Sequence, residues 1–124
     1  MEFAVHAQNH GDFVTLRCSG RLVFDQGTIA LREAVLAQAS RRLLLDLGDT
    51  HSIDAAGVGT LIALHQHVCS NGGRLVIVRP SARVLHVLRI TKVERLLEVQ
   101  RPQHNLVRAY FAKAAAPMGD TCGM

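Results

Sequence analysis

Two uninterrupted apolar runs constrain what this chain can become. Leu43-Leu44-Leu45 lies within residues 42–47, and Leu75-Val76-Ile77-Val78 runs up to Pro80. A strand that is apolar at successive rather than alternate residues needs cover on both faces, the condition of a strand inside a parallel sheet. The stretch between the two runs suits a crossover helix. Asp54 is a good N-cap, and Asn71-Gly72-Gly73 is a good terminator. The two runs are therefore expected to be adjacent central strands joined by a helix.

The flanking segments extend the pattern. Phe3-Ala4-Val5-His6 and Phe13-Val14-Thr15-Leu16-Arg17-Cys18 surround the polar residues 8–12 and read as a β-hairpin. Residues 20–27 read as a loop, followed by a helix over 28–39 with Ile29, Leu31, Val35 and Leu36 as an irregular apolar face and Thr28 as its cap. Residues 48–52 read as a loop. Ser81 caps a third helix over 82–90, residues 96–99 form a short last strand, and 105–116 form a C-terminal helix. Strands alternating with helices give an α/β fold with a largely parallel sheet, which the hairpin makes mixed. One domain over 1–116 and a flexible tail over 117–124 are expected.

Composition narrows the functional classes. The chain has 124 residues, 48% of them hydrophobic and 19% charged, enough for a core without staples. Aromatics are 4%, so a base-stacking surface would be poorly supplied. The formal charge is +4, with the basic residues scattered and Arg41-Arg42 the one adjacent pair. No direct nucleic-acid contact is expected; an acidic protein partner would suit such a surface better. The three cysteines Cys18, Cys69 and Cys122 form no disulfide framework, and Cys18 and Cys69 read as small hydrophobes. The first ten residues hold no apolar run suited to a signal sequence, and no stretch approaches the ~20 apolar residues of a membrane span. A cytoplasmic protein without membrane insertion is the expectation.

Residues that suggest chemistry do not assemble into a site. His65 and Cys69 share a helix face, but two ligands do not make a metal centre, so no metal is expected. Gly57-Val58-Gly59 stands at a helix start, yet Ile62 takes the place of the third glycine of a dinucleotide fingerprint. The glycines are read as permitting a tight turn, and no cofactor is expected. His51 adjoins Ser52 and lies near Asp54 and Thr60, but neighbours on a chain seldom face each other, and no nucleophile elbow exists. No catalytic residue is assigned, and the chain is not expected to be an enzyme.

The segment from Leu43 through Asp46-Leu47, then Ile53-Asp54-Ala55-Ala56-Gly57 to Leu61, resembles the signature of the STAS family, which covers sulfate transporters and anti-sigma factor antagonists. Gly72-Gly73 before Leu75-Val76-Ile77-Val78, and Val84-Leu85 through Leu88 before Leu96-Leu97-Glu98-Val99, continue the resemblance. It implies about four helices packed mainly on one side of a mixed sheet. It also implies a partner, an anti-sigma factor or GHKL-type kinase, which the free antagonist captures and which phosphorylates the first hydroxyl residue after the capping Asp. The family has Asp-Ser-Ser-Gly there. This chain has Asp54-Ala55-Ala56-Gly57, so Ala55 cannot be phosphorylated.

The expected function is a partner-switching anti-sigma factor antagonist lacking the usual acceptor serine. The alternatives are a STAS subunit docking on the ATPase of an ABC lipid transporter, and a nucleotide or small-ligand sensor built on the Gly57 turn. The expected partner-binding residues are Asp54, Ala55, Ala56, Gly57, Thr60, Leu64 and Val87, with Leu64 either exposed to the partner or at the core edge. Ser52, in the preceding loop, and Thr60 are the substitute phosphorylation sites. The sequence assigns no oligomeric state.

Overall fold

A computed structural model describes residues 3–100. The hairpin forms as its alternation dictates. β1 (Ala4–Asn9) pairs antiparallel with β2 (Val14–Leu22), and Val14, Leu16 and Cys18 point inward from β2. Then follow α1 (Gln26–Leu36), β3 (Arg42–Ile53), α2 (Ala55–Ser70), β4 (Arg74–Val78), α3 (Ala82–Ile90), a 3-10 turn (Glu94–Leu96) and β5 (Val99–Gln100). The strand order is β1-β2-β3-β4-β5, parallel from β2 onward.

The two apolar runs are adjacent, with Leu43 opposite Leu75 and Leu45 opposite Ile77, and both are internal strands. Their successive residues go to opposite faces. Leu43, Leu45, Leu47, Leu75 and Ile77 meet Leu31 and Val35 of α1, Leu61, Leu64 and Val68 of α2, and Val84 and Leu88 of α3. The three helices therefore lie on one face. On the other face Leu44, Val76 and Val78 form a smaller cluster with Phe13. Among the described residues the crossovers all fall on one side, so the winding does not reverse there and no crevice opens between oppositely wound halves, where doubly wound sheets hold nucleotides.

Several boundaries differ from the sequence reading. β2 continues to Leu22, and β3 continues through the expected 48–52 loop to Ile53. Gly, Asp and Ser favour turns locally, but Ser19–Leu22 pair with Asp49–Ile53 across two register shifts, and the ladder overrides that preference. Thr50, fully buried, donates its hydroxyl to the Cys18 carbonyl at 3.4 Å and accepts Ser81 Oγ on its own carbonyl at 2.6 Å. Ser52 is thus a strand residue. α1 starts at Gln26 and is capped at Asp25, not Thr28; the Thr28 hydroxyl accepts the Asp25 N–H at 3.1 Å. The last strand is the short β5, fixed by a paired Arg74 and Glu98, with Nε to Oε1 at 3.0 Å. The expected 105–116 helix, the tail and the 116/117 boundary lie outside the described residues. No helix among the described residues is long and apolar enough to cross a membrane.

Candidate protein-binding surface at the first turn of α2

Asp54 organises the entry to α2. Its extended backbone leaves β3, and its carboxylate serves two segments at once. Oδ1 accepts the Gly57 N–H at 2.8 Å, the capping bond. Oδ2 accepts the Phe24 N–H at 3.0 Å, from the loop between β2 and α1. The Asp54 N–H reaches the Leu22 carbonyl at 3.4 Å. Partial desolvation raises the carboxyl's pKa, but backbone N–H donors, Phe24 and Gly57 foremost, outweigh it and hold Asp54 below the usual carboxylate value.

Gly57 is needed for closeness, not for an unusual φ. A Cβ there would lie 2.3 Å from the Leu22 carbonyl oxygen and 2.8 Å from Ile53 Cγ1. Gly59 is the opposite case: it is exposed, and a Cβ there would meet nothing within 4 Å. Only the first of the two glycines supports the tight junction inferred from sequence. With Gly57 against the β2 end, Ala55 is turned to solvent and Ala56 is half-buried. The first turn presents methyl groups where the family motif has hydroxyls.

The other expected site residues divide. Thr60 is half-buried, and its hydroxyl donates to the Ala56 carbonyl at 2.9 Å, so it belongs to the same turn. Leu64 is 4% exposed and sits in the main core cluster, which decides between its two expected placements in favour of the core and against exposure to a partner. The reason is α1, which packs along α2 and covers the stripe that sequence periodicity left facing outward. Leu64 instead forms part of the floor of a groove with Arg32, Leu36, Thr60, Ala63 and His67. Ile62, His65 and Cys69 are half-buried, with His65 Nε2 3.7 Å from Cys69 Sγ. Among the described residues no three of His, Cys, Asp and Glu gather as a metal set. Val87 leans on the core from α3, a helix that packs chiefly on β3, whereas α2 packs on α1 and β4. The structure thus brings together Asp54, Ala55, Ala56, Gly57 and Thr60 on one turn, with Leu64 in the core and Val87 on α3. The Ser52 hydroxyl is buried without a hydrogen-bond partner.

Sequence reasoning missed Phe24. It is 74% exposed, beside Asp25, whose φ of +78° is a conformation that side chains resist. The Phe24 N–H bond to Asp54 ties this loop to the α2 turn. An available signal was an aromatic set against Asp25-Gln26 in the expected 20–27 loop of a chain with only four Phe.

Comparison with known proteins agrees with this architecture. A relative from Thermotoga neapolitana, named as an anti-sigma factor antagonist homologue, is 34% identical over 64 residues, 52% of this chain and 57% of that protein. A sulfate transporter of Arabidopsis thaliana is 38% identical over 58 residues, 47% of this chain and 9% of the transporter. The chain thus matches little more than half of the first relative and a small part of the second. The crystal structure of a Thermotoga maritima protein named as an anti-sigma factor antagonist superposes with a TM-score of 0.74 at 21% identity, over 86% of this chain and 92% of that one. The family model of the STAS domain matches residues 4–106, and the chain belongs to the STAS domain family.

Proposed function

We propose that this protein is an anti-sigma factor antagonist that docks on an anti-sigma factor or GHKL-type kinase through the first turn of α2, and that the alanine at position 55 keeps it in the binding-competent form. The observation that carries the reading is the exposed Ala55 on a turn otherwise closed by Asp54 and Gly57. A phosphate there would add about −1.5 to −2 charges to a surface that must fit a partner. The helix N-terminus tolerates such an anion, so the fold would survive while the interface failed. Ala55 removes that step. Ser52 and Thr60 are poor substitutes, since one hydroxyl is buried in β3 and the other is committed to the Ala56 carbonyl.

The test uses GHKL-type kinases and sigma regulators from the native host, assayed for binding by calorimetry and for phosphoryl transfer by intact mass after incubation with ATP. The wild-type chain is expected to bind and to gain no phosphate. Ala55→Ser is expected to gain one, and Ala55→Glu to lose binding with its unfolding midpoint unchanged. Stoichiometric phosphate on wild-type Ser52 or Thr60 would show a relocated switch. The match to a sulfate transporter favours a second reading, a STAS unit that works with a transporter. Recovery of a transporter component, such as an ABC ATPase subunit, as the binding partner would select it.

A further inference from the structure

The basic residues look dispersed along the sequence, but their excess is not. Residues 79–95 hold five of the fourteen Lys and Arg, namely Arg79, Arg83, Arg89, Lys92 and Arg95, and one of the ten Asp and Glu, Glu94. That segment alone carries the chain's formal +4, and all other residues together balance to zero. The fold turns the segment into a surface. α3 commits Val84 and Leu88 to the core, so the opposite side of the helix, centred on His86 with Arg83, Arg89 and Ile90 around it, faces solvent. Beyond the helix, Lys92 (φ +60°) turns the chain, and Arg95 is exposed. Two ion pairs trim the field: Arg79 Nε lies 3.5 Å from Asp46 and Arg89 Nε 3.9 Å from Glu94. Both arginines are about half exposed, so these pairs are solvent-screened. Among the cations stand two of the chain's exposed aliphatics, Ile90 at 62% and Leu96 at 53%.

We propose that this face of α3 and its C-terminal turn is a peripheral contact for an anionic lipid surface. Each Lys or Arg near anionic headgroups is worth about fivefold in partition. Exposed aliphatics between the cations add shallow contact at the headgroup boundary. A specific protein interface of roughly 800 Å² per side draws on aromatic and arginine anchors set in well-packed pockets, whereas residues 79–96 contain no Phe, Tyr or Trp and all four of their arginines are exposed. A lipid surface needs neither anchor nor shape match, only the cations and apolar tips found here. The surface uses none of the residues of the α2 turn, so the proposal is tested independently of the partner protein.

The experiment is co-sedimentation of the full chain with vesicles of pure phosphatidylcholine, or with phosphatidylglycerol as about a third of the lipid. The protein is expected to sediment with the anionic vesicles only, and to be released as salt is raised. Arg83→Glu/Arg89→Glu/Lys92→Glu is expected to weaken partition about a hundredfold. Arg17→Glu/Arg21→Glu/Arg41→Glu, with the same net charge placed elsewhere on exposed positions, should lose far less. Ile90→Ser/Leu96→Ser should lose severalfold. Circular dichroism and unfolding midpoints check the fold of each variant, and the single exposed change Arg83→Gln, expected to lose about fivefold, keeps the α3 face testable if the triple α3 variant does not fold. Equal binding to both vesicle types, no binding to either, or equal losses in the two triple variants would overturn the proposal. Tighter binding to a short DNA duplex or to polyglutamate, lost in the α3 variant, would overturn it in favour of a nucleic acid or an acidic protein.

Discussion

α2 and α3 lie on the same face of the same sheet, yet they meet solvent in opposite ways. The first turn of α2 is closed by hydrogen bonds and by a glycine pressed on the β2 end, and it offers small, uncharged groups. The outer side of α3 offers long cations and two aliphatic tips with few fixed contacts. A surface of the first kind suits recognition by shape, because its atoms are already in place and a single added group spoils it. A surface of the second kind suits attraction without fit. The difference originates in the residue each helix places against its neighbours: Gly57 brings α2 down onto backbone, whereas Val84 and Leu88 hold α3 off at side-chain distance.

The sharpest way to break this contrast is to force α2 away from its neighbours. Leu64→Asp would bury a charge in the main core cluster and is expected to unfold the domain, costing about 4 kcal/mol or more. Urea denaturation reads it; a folded, soluble Leu64→Asp variant would restore Leu64 to the surface. The two glycines come next. Gly57→Ala drives a methyl into the Leu22 carbonyl and is expected to destabilise by roughly 2–3 kcal/mol. Gly59→Ala, on the same helix in open space, is expected to stabilise by roughly 0.5–1 kcal/mol. Thermal unfolding of the pair compares them, and a Gly57→Ala variant as stable as the wild type or more so would mean that the junction relaxes freely.

Smaller effects sharpen the comparison at the helix starts. Ser81→Ala removes a cap on Val84 N–H at 3.2 Å and a bond to the Thr50 carbonyl, and should cost about 1 kcal/mol. Asp54→Asn keeps an effective cap but removes the charge. The folded Asp54 carboxyl titrates below its ordinary 3.8, so its extra stability is complete above that value and is lost as pH falls through the lowered folded value. The variant's stability should therefore fall less steeply than the wild type's below about pH 4. Parallel acid limbs in the two proteins would deny Asp54 that role.

Much of this architecture was legible because burial writes itself into residue type. The runs at Leu43 and Leu75, the Asp54 and Ser81 caps and the Asn71 stop each depend on local chemistry, and each appears where the sequence places it. The extension of β3 to Ile53 was not legible. Thr50 and Ser52 look like loop residues until Gly20 and Arg21 stand opposite them, 30 residues or more away in sequence. Leu64 stayed open between core and surface for the same reason: helical periodicity gives its angle but not the position of α1. The family resemblance located the first turn of α2, and the structure shows how it is held. Phe24 went unnoticed because its placement depends on a backbone bond to Asp54 that no local pattern encodes.

The two-handed carboxylate of Asp54 also bears on how the molecule assembles. One oxygen holds a neighbour three residues ahead, the other a neighbour 30 residues behind. The local bond can form in a nascent helix, but the distant one requires β2, α1 and β3 to be in register, after the entropy of closing that loop has been met. The proposed recognition turn is therefore completed late, by long-range order instead of by its own sequence. A chain still emerging or partly folded would display Ala55 on an unanchored helix end, so competence to engage a partner would itself report that folding had finished.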